Sequence, residues 1–479
     1  MNRLFVRFSK PRRLRPEGQL GFAHPQGRQM KKQFDLVVLG TGAAASTVAH
    51  ACREAGWEVA IVDSLPFGGT CALRGCDPKK VLVGAADALD WARRMQGKGF
   101  HGDGLGLDWH ELIRFKRTFT EPVPKSREEA FADAGITAFH GRAHFTNRTT
   151  LEVNHEVLET RHTVVATGAK PRKLNIPGEQ YITTSDQFLD LNSLPQRIIF
   201  IGGGYISMEF AHVSLRANRS VTILHRGKRL LEGFDPDLVQ QLFEKTQRLG
   251  AAIHLQAEAK AIEKNDGGLT VHARVAGAEK LFEADLVVHG AGRVPDIEDL
   301  NLAAAGVEAE KRGIRVNEYL QSVSNSAVYA AGDAAASDGP PLTPVAGYEG
   351  RVVASNLLEV NHVKARYVGV PTVAFTIPPL ASVGLSEQTA REKGLKFRTH
   401  REITSSWYSS RRVAEDCSGF KVLIEDGTDR ILGAHLLGPH AEEVINLFAL
   451  AIATNARATD LRDAIFAYPT LASDIRYML

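Results

Sequence analysis

The chain has 479 residues, 44% of them hydrophobic and 24% charged, with a formal net charge of +3 at pH 7. That length implies several domain-sized units in a globular balance of residues, and so small a net charge gives no argument for nucleic acid. No apolar run reaches the ~18 residues a membrane span needs, and four cysteines are too few for a secreted disulfide framework, so a reducing compartment, the cytoplasm, is expected.

Residues 1–33 are rich in arginine and hold one acidic residue, Glu17. Such a composition suits an organellar targeting peptide. The plainer expectation is a disordered basic extension, since Met30 ahead of "KKQFDLVVLG" would itself serve as a start.

From Phe34 the pattern becomes regular. "FDLVVLG" predicts a buried parallel strand, "TGAAASTVAHACREAG" an alanine-rich helix stopped by Gly56, and "WEVAIVD" a second strand. Strand, glycine turn, helix, strand and a terminal acid make a dinucleotide-binding unit. Gly40 permits the tight turn, Gly42 lets backbone approach a pyrophosphate, and Ala45 takes the third glycine place. Asp63, about 20 residues on, is placed to bind ribose hydroxyls.

"GGTCALRGC" follows at 68–76 and holds half the cysteines. Residues five apart on an ideal helix lie at least ~7.5 Å apart, beyond the ~7 Å that a disulfide spans between Cα atoms. Cys71 and Cys76 can bridge only across a distorted turn, for which Gly75 gives freedom. Zinc is the rival, but it wants a second ligand pair that neither Cys52, Cys417 nor a nearby histidine pair supplies, so no metal is expected. Further on, 117–135 reads as a loop entering a helix.

The dinucleotide unit then recurs. "QRIIFIGGGYISMEFAHVSLRANRSVTILHR" offers Gly202, Gly204 and Ser207 at the turn, and a second strand ending at Leu224. Where the first unit has an acid, this one has His225, Arg226, Gly227, Lys228 and Arg229. Arg226 and Lys228 would attract a 2′-phosphate, which favours NADPH over NADH. Two dinucleotide sites beside a reducible cysteine pair suggest an electron relay from nicotinamide through flavin to disulfide.

The chain resembles the flavoprotein disulfide reductases, the group I pyridine nucleotide-disulfide oxidoreductases that include glutathione reductase, dihydrolipoamide dehydrogenase and mercuric reductase. The resemblance runs from Phe34 to Leu479 and rests on "GGTC-x₄-C-x-P-K-K" and four further blocks in order: "TVVATGAKP" (163–171), "GGGYISMEF", "HGAGRVPD" (289–296) and "VYAAGDAA" (328–335). It implies an α/β fold with two Rossmann-like three-layer domains for FAD and NAD(P)H and a C-terminal α+β dimerisation domain. The expected divisions are FAD domain 34–165, NAD(P)H domain 166–295, a return to the FAD domain over 296–366, and the dimerisation domain 367–479.

The resemblance also implies roles. Cys76, nearer the flavin, would form the charge-transfer thiolate, and Cys71 would be the interchange thiol that attacks substrate. Lys79 or Lys80 would sit by the flavin and pair with Glu209. Tyr205 would cover the flavin until nicotinamide arrives. Gly69, Thr70, Thr343 and Asp333 would contact FAD, while Thr167 and Gly168 on one crossover, and Gly292 and Arg293 on the other, complete the cofactor-binding set.

The departures carry as much information as the matches. The usual terminal histidine of the group is Tyr468 here, and the glutamate five places on is Ser473. Tyrosine, with a pKa near ~10, is a poor base at neutral pH but can donate a hydrogen bond. Inside the redox turn, Arg74 and Asp77 are new beside the cysteines. The expected activity is NADPH-driven reduction of a small-molecule disulfide by a homodimer. The alternatives are a non-disulfide acceptor (quinone, metal ion or oxygen) or a non-catalytic flavoprotein sensor.

Overall fold

The computed structural model describes residues 31–102 and 104–479. Most of the basic extension therefore lies outside the described residues. Its last three residues do not fit the expected disorder: the first strand already begins at Lys31, in parallel register with Val157, and Lys31 and Lys32 form ion pairs with Glu159 and Glu156.

The first sheet has seven strands. Lys31–Leu39, Val59–Asp63 and Thr137–His140 run parallel on one side of its centre, and Glu156–Val165 adds the other side. Leu36, Val37, Val38 and Leu39 are almost wholly buried because helices or loops cover both faces. Val328–Ala330, far along the chain, pairs parallel with Glu156–Val165 and so returns the chain to this sheet. Helix Thr343–Glu359 then packs on helix Ala43–Glu54, where Gly350 comes so close that a Cβ would stand 2.8 Å from the Ala44 carbonyl oxygen.

A four-stranded parallel sheet forms the second nucleotide-binding unit, with Arg197–Ile201 and Ser220–His225 at its centre and helix Tyr205–Arg216 between them. A three-stranded antiparallel sheet over Ala257–Ala284 covers it. The C-terminal unit is a five-stranded antiparallel sheet carrying helix Ala441–Ala453. The molecule is α/β with this α+β unit at its end, as the sequence implies.

The stretch 117–135 departs from expectation. Residues up to Thr120 complete a helix that starts at Trp109, and a second helix spans Val123–Asp133. The Asp108 side chain caps the first by accepting from the Glu111 N–H. Prolines 122 and 124 sit at the second helix's start, where the missing N–H costs nothing.

A buried ion cluster ties the units together. Arg216, 2% exposed, donates to Asp90 at 2.8 Å and to the Ile377 carbonyl at 3.0 Å. Asp90 lies on helix Cys76–Arg94, Arg216 ends the second unit's first helix, and Ile377 belongs to the C-terminal unit. The helix that begins with Cys76 is thereby held against both other units.

Candidate active site

The cysteine turn is built from two helices that meet at a glycine. Helix Gly69–Arg74 stops at Gly75, and helix Cys76–Arg94 starts at the next residue. A Cβ on Gly75 would stand 2.9 Å from the Thr70 carbonyl oxygen, so the chain folds back on itself there. That fold is the distortion the spacing demands. Both cysteines are free thiols in the structure. Cys76 Sγ lies 3.6 Å from Thr343 Oγ1, and Cys71 Sγ lies 3.8 Å from Asp77 Oδ1. The Cys76 thiol pKa is lowered to about 6, chiefly by a hydrogen bond from the Cys71 thiol, with Thr343 and the Lys79 charge adding to it. The Cys71 thiol is pushed up, first by the same hydrogen bond and by burial, and further by the charges of Cys76 and Asp77.

Of the two lysines, Lys79 pairs with Glu209, its Nζ 2.9 Å from the carboxylate. Glu209 is 1% exposed and also accepts the Phe375 N–H at 2.8 Å. Lys80, one residue on, turns to the surface, 3.8 Å from Glu442. Arg74 meets Asp186 at 3.7 Å and not Asp77.

The thiols open into a cleft of about 400 Å³. Gly40, Gly42, Asp63, Gly69, Thr70, Thr167, Gly168, Tyr205, Arg293, Asp333 and Thr343 line it together with Cys71, Cys76, Lys79 and Glu209. Its walls fit FAD. Gly69, at φ +71°, comes so close to the first glycine turn that a Cβ would stand 2.5 Å from the Gly42 Cα. Helix Ala43–Glu54 starts at Gly42 with no side-chain cap, which leaves its first N–H groups free for a pyrophosphate. Asp63 is oriented by Thr41 Oγ1 at 2.7 Å and the Leu65 N–H at 2.9 Å. The buried Thr167 hydroxyl has no hydrogen-bond partner among the described residues. Burial pushes the Asp333 carboxyl pKa up while Arg293 opposes it. Polar groups held dry in this way are what a polyhydroxyl chain would satisfy.

The family model for pyridine nucleotide-disulphide oxidoreductases matches residues 34–350, and the model for that family's dimerisation domain matches 370–479. The chain belongs to this family. A mercuric reductase of Staphylococcus aureus is 33% identical over 451 residues, 92% of this chain and 81% of that relative. A glutathione reductase of Burkholderia cepacia is 32% identical, covering 93% of this chain and 98% of the relative. A dihydrolipoyl dehydrogenase of S. aureus is 30% identical, covering 92% and 94%. Among solved structures, the Cu(II) complex of the HOCl-induced flavoprotein disulfide reductase RclA from Escherichia coli is similar, with TM-score 0.83 and 26% identity over 93% of this chain and 99% of that one. Pyridine nucleotide-disulphide oxidoreductases are FAD-dependent enzymes that use pyridine nucleotides, and the dimerisation domain makes this one a homodimer.

In this family member the remaining sequence-derived residues lie outside the cleft. Ala45 is fully buried in the helix that follows the first glycine turn. Gly202, at φ +110°, would bring a Cβ within 2.2 Å of the Gly290 carbonyl oxygen, and the helix from Gly204 has no side-chain cap. Ser207 packs where a Cβ on Gly290 would be 1.9 Å from its Oγ. Gly292, at φ +105°, leads into strand Arg293–Pro295. Arg226 and Lys228 are exposed just past the second strand, and His225 lies 3.6 Å from Glu232. Tyr468 is 82% exposed and does not line the chain's own cleft.

Sequence reasoning missed three contributors. Thr41 links Asp63 to the Gly68 N–H, which it accepts at 3.1 Å. Glu349 accepts from the Gly332 N–H, the Ser337 hydroxyl and the Tyr367 hydroxyl, each at 2.6 Å, and so fixes the turn that carries Asp333. The Phe375 N–H holds Glu209. Thr41, inside "GTG", was readable as a turn hydroxyl. The other two depend on partners brought together only by folding.

Proposed function

We propose that the protein takes electrons from NADPH and passes them through FAD to the Cys71–Cys76 pair, which reduces a small-molecule disulfide. The observation that carries this reading is the thiol pair itself: Cys76 beside Thr343 and the Lys79–Glu209 pair, Cys71 turned toward Asp77, both on a cleft built for FAD. Bound FAD would supply two-electron exchange between nicotinamide and the cysteines. Lys79, its position fixed by the ion pair with Glu209, would stand beside the bound flavin. The Cys71 thiol, then Thr343 and Lys79, stabilise Cys76 as a thiolate. Tyr205, 47% exposed at the head of its helix and lining the cleft, would cover the flavin until nicotinamide arrives.

NADPH is favoured over NADH by Arg226 and Lys228, whose charges stand exposed where a 2′-phosphate would lie. In the homodimer the partner subunit's Tyr468 would donate a hydrogen bond on the thiol side. Its exposure in the single chain supports that role. A reducing cytoplasm suits a working dithiol whose other cysteines, Cys52 and Cys417, are buried.

The test is NADPH consumption with disulfides, quinones, oxygen and Hg²⁺ as acceptors, for the wild type and Cys71→Ser. Disulfides should be turned over by the wild type. Cys71→Ser should lose that activity while keeping FAD bound and reducible by NADPH. Full disulfide turnover by Cys71→Ser would overturn the assignment.

A further inference from the structure

Reduction of a disulfide by this pair raises a proton problem. Cys71 must lose its proton to attack, and the first departing thiolate must gain one. A phenol in the place of the family histidine cannot accept a proton at neutral pH. Cys76 could take the proton from Cys71, but it would then be a thiol and unable to complete the second exchange.

The redox turn contains another acceptor. Asp77 Oδ1 lies 3.8 Å from Cys71 Sγ, with the thiol as donor. Among the described residues this thiol is the only hydrogen-bond partner of the Asp77 side chain. The surrounding charges are otherwise engaged, Arg74 by Asp186 and Lys79 by Glu209, while the neutral Thr343 hydroxyl lies by Cys76 and also bears on the Cys71 thiol. Asp77 is exposed at the start of its helix, beside the Cys71 thiol.

We propose that Asp77 is the acid–base residue for Cys71, relaying its proton to the first thiolate that leaves. This rests on the disulfide reading above. The Cys71 sulfur forms a bond to one substrate sulfur as the substrate S–S bond breaks. The bonding pair leaves on the other sulfur, and the Cys71 proton passes through the Asp77 carboxylate to that sulfur, giving a thiol. The Cys76 thiolate then attacks the Cys71 sulfur and restores the cysteine disulfide. The second substrate thiolate leaves with the bonding pair and takes its proton from water. The cysteines are oxidised by two electrons and the substrate is reduced by two, and NADPH restores the dithiol. Asp77 holds the proton only in passing, and the relay ends with the proton moved from the Cys71 thiol to the departing sulfur. The upward push on the Cys71 thiol, from Cys76 first and Asp77 among the rest, agrees with a group that reacts as a thiol with a base beside it.

The test compares the FAD-loaded homodimer with its Asp77→Asn, Asp77→Val and Asp77→Glu variants. Two probes are used: 2-hydroxyethyl disulfide, whose leaving thiolate needs a proton, and 5,5′-dithiobis(2-nitrobenzoate), whose leaving thiolate does not. Asp77→Asn and Asp77→Val should lose about 100-fold in kcat/KM on the first probe, with far less loss on the second, and Asp77→Glu should recover part of the first. Equal losses on both probes, or none, would overturn the relay. Flavin reduction by NADPH in a rapid-mixing experiment reports separately on fold and cofactors. If the wild type reduces neither probe, the disulfide reading fails, and iodoacetamide labelling of Cys71 in the NADPH-reduced enzyme still tests the contact. Asp77→Asn should move the labelling midpoint to lower pH, because a negative charge beside the thiol is gone. An unmoved midpoint would refute the interaction.

Discussion

Neighbouring lysines have different fates in this chain. Lys79 is 13% exposed at its side chain and holds Glu209, whereas Lys80 is 49% exposed and only 3.8 Å from Glu442. Removing one partner of a buried pair leaves the other charge stranded, at a cost of about 3–5 kcal/mol. Lys79→Met should therefore lose about that much in urea unfolding, while Lys80→Met should change stability by less than about 1 kcal/mol. Cys76 has a second testable property. Its thiol pKa, lowered to about 6, means a thiolate at neutral pH that is protonated as pH falls through that value. Thiolate absorbance of the reduced protein should titrate there, and Thr343→Val, which loses a donor to the charged form, should move the midpoint up.

At the scale of elements, the two glycine-turn helices begin without a side-chain cap, unlike the capped helices elsewhere in the chain. The helices at Trp109 and Pro236 are capped by Asp108 and Asp235, but those at Ala43 and Tyr205 have no side-chain cap. Their orphan N–H groups would be satisfied by the phosphates of the bound dinucleotides. The cysteine helix must reach the first of these turns, and it does so through Gly69. Gly69→Ala would put a Cβ into the Gly42 backbone at a φ of +71°. It should yield protein that purifies colourless or with much reduced FAD content, measured as released flavin absorbance. Gly84, inside helix Cys76–Arg94, has nothing within 4 Å of a built Cβ. Gly84→Ala should keep FAD and stabilise the fold by about 0.5–1 kcal/mol.

For the whole molecule, the chain carries two dinucleotide units with opposite choices after the second strand. Asp63 ends the first, and the basic loop from His225 follows the second. Arg226 and Lys228 stay exposed while His225 lies by Glu232. A charge-assisted contact is worth roughly 1.5–3 kcal/mol, or about ten- to a hundredfold in binding. Arg226→Ala with Lys228→Ala should cut kcat/KM for NADPH by that range and leave NADH nearly unchanged. Equal loss with both nucleotides would mean that the loop shapes the site without reading the phosphate. The C-terminal unit, the dimerisation domain, exposes Leu450, Ile465, Tyr468 and Tyr477.

Much of this was readable from the chain alone because the signals are local. A glycine turn between a buried strand and a helix, and two cysteines bracketing "ALRG", each declare themselves within some thirty residues. The α/β class, both nucleotide units and the redox pair follow from such stretches. Folding decided what depends on contacts between distant segments. Lys79 rather than Lys80 meets Glu209 because helix Cys76–Arg94 presents only one of two adjacent residues to the helix that carries Glu209. Glu349 fixes the Asp333 turn, and Arg216 locks three units, through partners that sequence spacing does not join. Asp77 and Arg74 stand beside the cysteines in the sequence, but the break at Gly75 parts them, turning the Asp77 carboxylate onto Cys71 and leaving Arg74 to Asp186. A helix face and a sharp turn decide which of two neighbours points inward, and the packing of the whole chain sets both.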